Sequence, residues 1–424
     1  MRTNRRGFLR ATGSACLIGA VGNADAAPDT STTRGRWSQF CRNSRNTGYA
    51  PEVDAPTSNV GTRWEFRTEG SVESSPVVAN GVVFVGSDDG RLDALDATDG
   101  SKQWSFDTGS EIHSAPAVDD GTVFVIAQDT SVYALDAANG AEQWSVQFSD
   151  TGTTRVSSVT VSDGVLYVGV SGSGTYALDG TDGSRRWGRE SVQARPLPTP
   201  TVADGIVYVG TGDYELRGLD ADGGDEVWSF ETGANAESAP AVDDGTAYFG
   251  SLDRKVYGVD TATGTEQWSF ETDYWVTASP AVTASTVYAG SRDGSVYALR
   301  RDVGTERWSF DTDAAIMAAP TVAGDTVLVG SRDGTLYALN AGTGDERWAR
   351  PLGRDIESSP AVGDGSVYVG TTDGSVYALS EGHASDGASL EWSSASTVVG
   401  AAGLLAGTGY TIKRFLGGDT RPDG

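Results

Sequence analysis

The chain has 424 residues, 38% of them apolar and 21% charged, with 56 glycines and a formal net charge of −27. That balance describes a turn-rich globular protein and excludes a disordered one. The acidity leaves no basic stripe to displace counterions from phosphates, which excludes nucleic acid as a partner. The lysines are only Lys102, Lys255 and Lys413, so the surface is of the kind that stays hydrated in concentrated salt. In chain order, Asn4-Arg5-Arg6-Gly7-Phe8-Leu9-Arg10 precedes a weakly apolar run, Ala15 to Val21, and the small-residue site Ala24-Asp25-Ala26. This pattern predicts a twin-arginine export signal over residues 1–26. Cys16 lies inside it and lacks the aliphatic residue of a lipid-attachment site. Cys41 is then the single cysteine of the mature chain, which excludes a disulfide framework and suits a small buried hydrophobe. Residues 27–61 read as a lead-in segment.

From residue 62 to residue 380 the chain repeats. Trp64, Trp104, Trp144, Trp187, Trp228, Trp268, Trp308 and Trp348 follow one another at intervals of 40, 40, 43, 41, 40, 40 and 40 residues. Aligned on these tryptophans, each unit shows four short runs of alternating apolar and small residues, separated by turns such as Asp-Asp-Gly, Arg-Asp-Gly and Ala-Thr-Gly. Asp-Gly between such runs is a strong hairpin signal. Four antiparallel strands per 40 residues predict a propeller blade, and no helical period intervenes to suggest a helical solenoid. Sets of the first three strands begin near Glu73, His113, Val156, Leu197, Glu237, Thr277, Met317 and Glu357. The expected fold is therefore all-β: an eight-bladed β-propeller of four-stranded antiparallel blades. The eighth blade ends at Tyr377-Ala378-Leu379 with no tryptophan strand directly after it, while Arg63-Trp64 to Thr68 is left over at the start. The strand of Trp64 is predicted to complete the last blade and close the ring, with Trp392 as the rival. Beyond a linker at residues 381–391, the uncharged stretch 392–412 is flanked by Trp392 and Tyr410 and followed by Lys413-Arg414. It has the length of a membrane span, though diluted by glycine, serine and threonine, and is expected to act as a C-terminal anchor ahead of a tail at 413–424.

The turn-and-tryptophan units Ala94-Leu-Asp-Ala-Thr-Asp-Gly100 with Trp104, and Ala134-Leu-Asp-Ala-Ala-Asn-Gly140 with Trp144, resemble the tryptophan-docking repeat of pyrroloquinoline-quinone (PQQ)-like propellers. The segment Trp37 to Pro51 is similar to the lead-in of that family. The resemblance runs from Trp64 to Leu379 and, with the acidity, implies an exported haloarchaeal member. It implies that the tryptophans pack between blades. It also brings PQQ and Ca2+ into view as cofactors of the dehydrogenases in the family, and a protein partner as the ligand of its barrel-assembly lipoprotein.

Positions where the repeats disagree are the candidates for function. At the first residue of the x-Ser-Ser/Ala-Pro segment, expected on the innermost strand and facing the axis, stand Glu73, His113, Val156, Leu197, Glu237, Thr277, Met317 and Glu357. Two residues earlier come Ser71, Glu111, Thr154, Arg195, Asn235, Trp275, Ala315 and Asp355. Glu73, His113, Arg195, Glu237, Trp275 and Glu357 form the candidate axial site. Trp275 would offer a stacking face, Arg195 a carboxylate clamp and the glutamates ligands for a hard cation. The plainer reading is a hydrated polar channel. No catalytic residues are assigned. With His113 the single histidine of the repeats, one mature cysteine and no long insertion, a non-catalytic cell-surface interaction scaffold is the expected function. A PQQ- or cation-binding propeller, with or without quinoprotein oxidoreductase activity, is the alternative.

Overall fold

Residues 37–148, 155–190 and 198–382 are described in this computed structural model. The export signal, the anchor segment, Trp392, Arg195 and Leu197 lie outside them. The described residues contain eight sheets, seven of four strands and one of five, in which blades 1 to 7 are antiparallel meanders in chain order. Blade 1 comprises Val77–Ala79, Val82–Gly86, Arg91–Asp96 and Lys102–Asp107. Blades 2 to 7 repeat this pattern. Blade 8 comprises Ala361–Gly363, Ser366–Gly370 and Ser375–Glu381, and its outermost strand is Val60–Arg67 from the start of the ring. Trp64 pairs with Ala378 there, after a bulge at Thr62/Trp64 that the other blades also show. Closure by an N-terminal strand leaves no blade with a missing edge.

The apolar core is divided among the interfaces between neighbouring blades, since each sheet buries both faces. One cluster joins Phe84 and Leu92 of blade 1 to Val123 and Leu135 of blade 2; another joins Tyr248 and Val256 of blade 5 to Val287 and Leu299 of blade 6. Each regular tryptophan stands at such an interface; seven donate the indole N–H to a turn carbonyl of the next blade, and Trp348 donates to the segment just ahead of the strand of Trp64. Trp64 bonds Ala97 O at 3.1 Å, Trp228 bonds Thr261 O at 2.7 Å, and Trp348 bonds Pro56 O at 2.8 Å. The glycine of that turn lies flat on the ring. Gly100 has φ +72, and a Cβ there would sit 2.7 Å from Trp64 Cδ2, so backbone conformation and space both demand glycine.

The structure differs from the sequence reading at the innermost strand. Its hydrogen-bonded part begins after the proline, at Val77 rather than Glu73, because proline has no N–H to give the ladder. The serines before it take over. Ser74 Oγ accepts from Gly86 N at 3.2 Å within its own blade, while Ser75 Oγ accepts from Ser359 N at 2.9 Å, tying blade 8 to blade 1.

Strand direction sorts the loops into two faces. The hairpins Asn80-Gly81 and the turns around Asp96–Ser101 lie at one end of the blades, the base. The loops around Ser87–Gly90 and Thr108–His113 lie at the other, the mouth. The lead-in covers the base side of the axis. There the innermost strands would leave a row of unpaired N–H groups. Val78, Val118, Val202, Val242, Val282 and Val322 each donate to a carbonyl of Trp37, Ser38, Ser44, Arg45, Thr47 and Gly48 in turn, at 2.7–2.9 Å, and Val161 N donates to Gln39 Oε1 at 2.9 Å. Seven blades are thus bonded in order by one short segment, which ends by pairing Tyr49–Ala50 parallel to the innermost strand of blade 7. Cys41 is buried within this segment, and burial pushes its thiol well above the ordinary range.

Candidate functional site

The open mouth gathers the residues at which the repeats differ. On the side of blades 1 and 2, His113 stands among three carboxylates. Its Nε2 is 3.0 Å from Asp88 Oδ1 and 3.6 Å from Glu111 Oε2, and its Nδ1 is 3.7 Å from Glu73 Oε2. Asp88 Oδ1 and His113 Nε2 are shielded from solvent and close, yet off the line of a hydrogen bond. Burial raises the Asp88 carboxyl above its ordinary value, against the pull of His113. One ligand atom each from Glu73, Asp88 and His113 falls within 4.8 Å of the others, a spacing that a single cation can span.

Towards blades 7 and 8, Glu357 is held by Arg332, whose Nη2 lies 3.0 Å away, while Arg332 Nε bonds Asp355 Oδ2 at 3.0 Å. Burial nevertheless raises the Glu357 carboxyl, helped by the nearby charge of Glu73. On the side of blade 6, Trp275 is 38% exposed and makes none of the interface contacts of the regular eight tryptophans. Tyr274 stacks on it with ring centroids 4.9 Å apart, and the Arg292 guanidinium lies 5.7 Å from its ring. Arg292 is fixed in turn by a bond from Nε to Thr277 Oγ1 at 3.0 Å. Tyr274 and Tyr214, on separate loops of the mouth, are likewise exposed.

Between these sides a cavity of about 190 Å³ follows the axis, with His113, Val156, Pro198, Glu237 and Thr277 in its wall and Phe40 of the lead-in towards the base. Glu237 accepts from Asn235 Nδ2 at 3.3 Å. The structure thus brings Glu73 and His113 together, puts His113 and Glu237 on one cavity, and sets Trp275 apart on the rim with Tyr274. Asp88, Arg292 and Arg332 were not among the sequence candidates. All three occupy the second position of the Ser-x-Asp-Gly loop, and the variation there between Asp88, Arg292 and Arg332 was the signal that could have found them.

The mouth has the chemistry of a recognition surface: paired charges, fixed side chains and exposed aromatic rings.

The comparisons agree on the scaffold. Similar solved structures include BamB from Moraxella catarrhalis, with a TM-score of 0.66 and 22% identity, covering 77% of this chain and 99% of that one. The quinohemoprotein alcohol dehydrogenase of Comamonas testosteroni gives a TM-score of 0.69 at 17% identity, covering 81% of this chain and 80% of that one. The computationally designed Ika8 protein gives 0.67 at 20% identity, covering 75% and 98%. No curated protein matches the chain. The family described as outer membrane protein assembly factor BamB matches residues 46–197, 190–314 and 292–414, which together span most of the sequence, and the chain belongs to that PQQ-like family of β-propellers.

Proposed function

We propose that the protein is an exported, non-catalytic scaffold at the cell surface of a salt-adapted organism, binding a protein partner at the open mouth of the ring. The observation that carries this reading is the exposed Tyr274–Trp275 stack braced by Arg292, next to carboxylates held in place by Arg332. Aromatic rings and arginine are the side chains that dominate interface energetics, and here they are pre-ordered. The eight regular tryptophans serve as tryptophan-docking residues of the scaffold. Arg5-Arg6 with Phe8-Leu9 supports twin-arginine export, and residues 392–412 support a C-terminal membrane anchor. No described helix is long and apolar enough to cross a membrane.

A photo-crosslinking residue placed at 275 in the native cell, with a second placed at the exposed outer position 227, tests the reading. A discrete protein adduct from 275 that is absent from 227 is expected. The same pattern of adducts from both positions, or none from either, overturns it.

A second reading, cation binding at the mouth, is favoured by the Glu73–Asp88–His113 cluster. One nitrogen and two carboxylates suit a borderline divalent ion better than Ca2+, which prefers oxygen alone. Among the described residues the mouth does not fit PQQ. The axial cavity is smaller than the roughly 300 Å³ at which ligand pockets begin. The carboxylates of Glu73, Asp88, Glu111 and Glu237 would repel a polycarboxylate, and Arg332 is already engaged by Asp355 and Glu357. Titration with Zn2+, Ca2+ and PQQ, followed by thermal stability and tryptophan fluorescence, separates these outcomes.

A further inference from the structure

Blade 6 departs from its neighbours on the base as well as at the mouth. The last residue of the third strand is Asp96, Asp136, Asp179, Asp220 and Asp260 in blades 1 to 5, Asn340 in blade 7, and Arg300 in blade 6. In the other blades just named, this side chain caps the turn that follows. Asp96 Oδ1 accepts from Thr98 N at 2.8 Å, Asp260 Oδ1 from Ala262 N at 3.1 Å, and Asn340 Oδ1 from Gly342 N at 2.9 Å. Arginine cannot accept, so the cap is given up in blade 6.

A second carboxylate is missing beside it. The inner hairpin carries aspartate in blades 2, 3, 4, 5, 7 and 8, but reads Thr283-Ala284-Ser285 in blade 6. Both changes bear on Arg307. Its counterpart in blade 3, Arg186, pairs with the turn residue Asp179 at 2.7 Å, and its counterpart in blade 7, Arg347, pairs with the hairpin residue Asp325 at 2.6 Å. In blade 6 the first partner has become Arg300 and the second Ser285. Arg307 Nη2 donates only to the carbonyl of Ser285, at 3.0 Å. Among the described residues, no carboxylate lies within ion-pairing distance of Arg300 or Arg307.

The two arginines line a groove of about 400 Å³ between blades 5 and 6, together with Thr246, Gln267, Ser285 and Arg301. Arg301 replaces the alanine found at this point of several other blades. It forms a fixed wall, with Nη1 2.7 Å from Asp243 and Nε 3.0 Å from the Tyr248 hydroxyl. Asp244 and Asp302 also border the groove, and Asp244 is taken up by Arg301 Nη2 at 3.5 Å. In a chain of net charge −27, most guanidiniums have carboxylates at hand. A pair from which two carboxylates have been withdrawn, beside hydroxyl and amide groups, is a donor set for an oxyanion.

We propose that this base groove of blade 6 binds a tetrahedral oxyanion, a phosphate either free or carried as an ester. Calorimetric titration of the full-length mature protein with inorganic phosphate and with glucose 6-phosphate, at constant ionic strength set by chloride, tests the proposal. Arg300→Asp restores the cap of the other blades, and Ser285→Asp gives Arg307 the partner that Arg347 has, so both variants are expected to fold. Saturable binding by the natural protein should weaken about tenfold or more in each variant, the scale of one charge-assisted hydrogen bond, with thermal midpoints no lower than before. Binding of both probes marks a free anion as ligand, and binding of the ester alone marks a phosphorylated sugar. No saturable binding of either probe, or binding by the variants as tight as that of the natural protein, overturns the proposal.

Discussion

The two faces of the ring are made from the same repeats and are finished in opposite ways. At the base, a single segment from Trp37 to Ala50 bonds to seven innermost strands in succession, using chiefly its own carbonyls. At the mouth no such segment lies over the strands among the described residues, and the axis is bordered by carboxylates, a histidine, arginines and exposed rings. Backbone pairing on one side frees the other from a structural duty. Mouth residues can therefore vary from blade to blade without loosening the ring, and Glu73, His113, Glu237 and Thr277 do so at one and the same repeat position. Blade 6 carries such variation on both faces.

The largest expected effects lie with the residues that close and seal the ring. Trp64 is 7% exposed, packs against Tyr368 with ring centroids 5.8 Å apart, and anchors the strand that joins the two ends of the propeller. Trp64→Ala should cost about 3–5 kcal/mol in chemical denaturation, as for other buried large-to-small changes. A loss no larger than that of a surface substitution would mean that closure does not depend on this interface. A smaller loss is expected at the seal. Asn46 is 1% exposed, and its side-chain amide lies 2.6 Å from Thr201 Oγ1. Asn46→Ala leaves buried polar groups unpaired, at about 1–3 kcal/mol, and should speed hydrogen exchange at Val202 and Val242 before that of the outer strands.

The ring was legible in the sequence because a repeat states its own period eight times over. The closing strand was legible because Trp64 was surplus at one end exactly where blade 8 lacked a strand at the other. The seal was not legible, since bonds made by the carbonyls of Trp37, Ser38 and Ser44 carry no side-chain signature. At the mouth, strand register placed Glu73 and His113 at equivalent positions of adjacent blades, and they stand 3.7 Å apart. Asp88, Arg292 and Arg332 escaped that reasoning because they approach from a different loop, and alternation along one strand says nothing about what a neighbouring loop brings in. The alignment likewise counted Arg195 among the candidates, and it lies outside the described residues.

Titration should sharpen the contrast between the faces. Burial raises the carboxyl of Asp88 in the folded protein, so the protonated acid is favoured by folding. The stability it contributes is present below its unfolded value, about 3.9, and is lost as pH rises through the higher folded value. Asp88→Asn removes that loss. Its stability in thermal unfolding should exceed that of the natural protein at pH 8 by less than about 1 kcal/mol, and the two should converge near pH 3. A variant less stable at pH 8 would show that contacts of the ionised Asp88 outweigh its desolvation.

The smallest expected effect on stability belongs to Trp275, and that smallness is its significance. Trp275 is exposed at the mouth, and its ring lies against Tyr274 and Arg292 rather than on the turn of a neighbouring blade. Trp275→Ala should therefore change unfolding free energy by no more than about 0.5 kcal/mol, roughly a tenth of the loss at Trp64. Circular dichroism and denaturation of the two alanine variants side by side measure the difference. If Trp275→Ala proved as destabilising as Trp64→Ala, Trp275 would be a structural tryptophan too and the mouth would lose its strongest claim to recognition. If stability is kept while the crosslinked adduct from neighbouring position 274 is lost, the two kinds of tryptophan divide the work of the molecule between them, one set holding the blades and one residue meeting the partner.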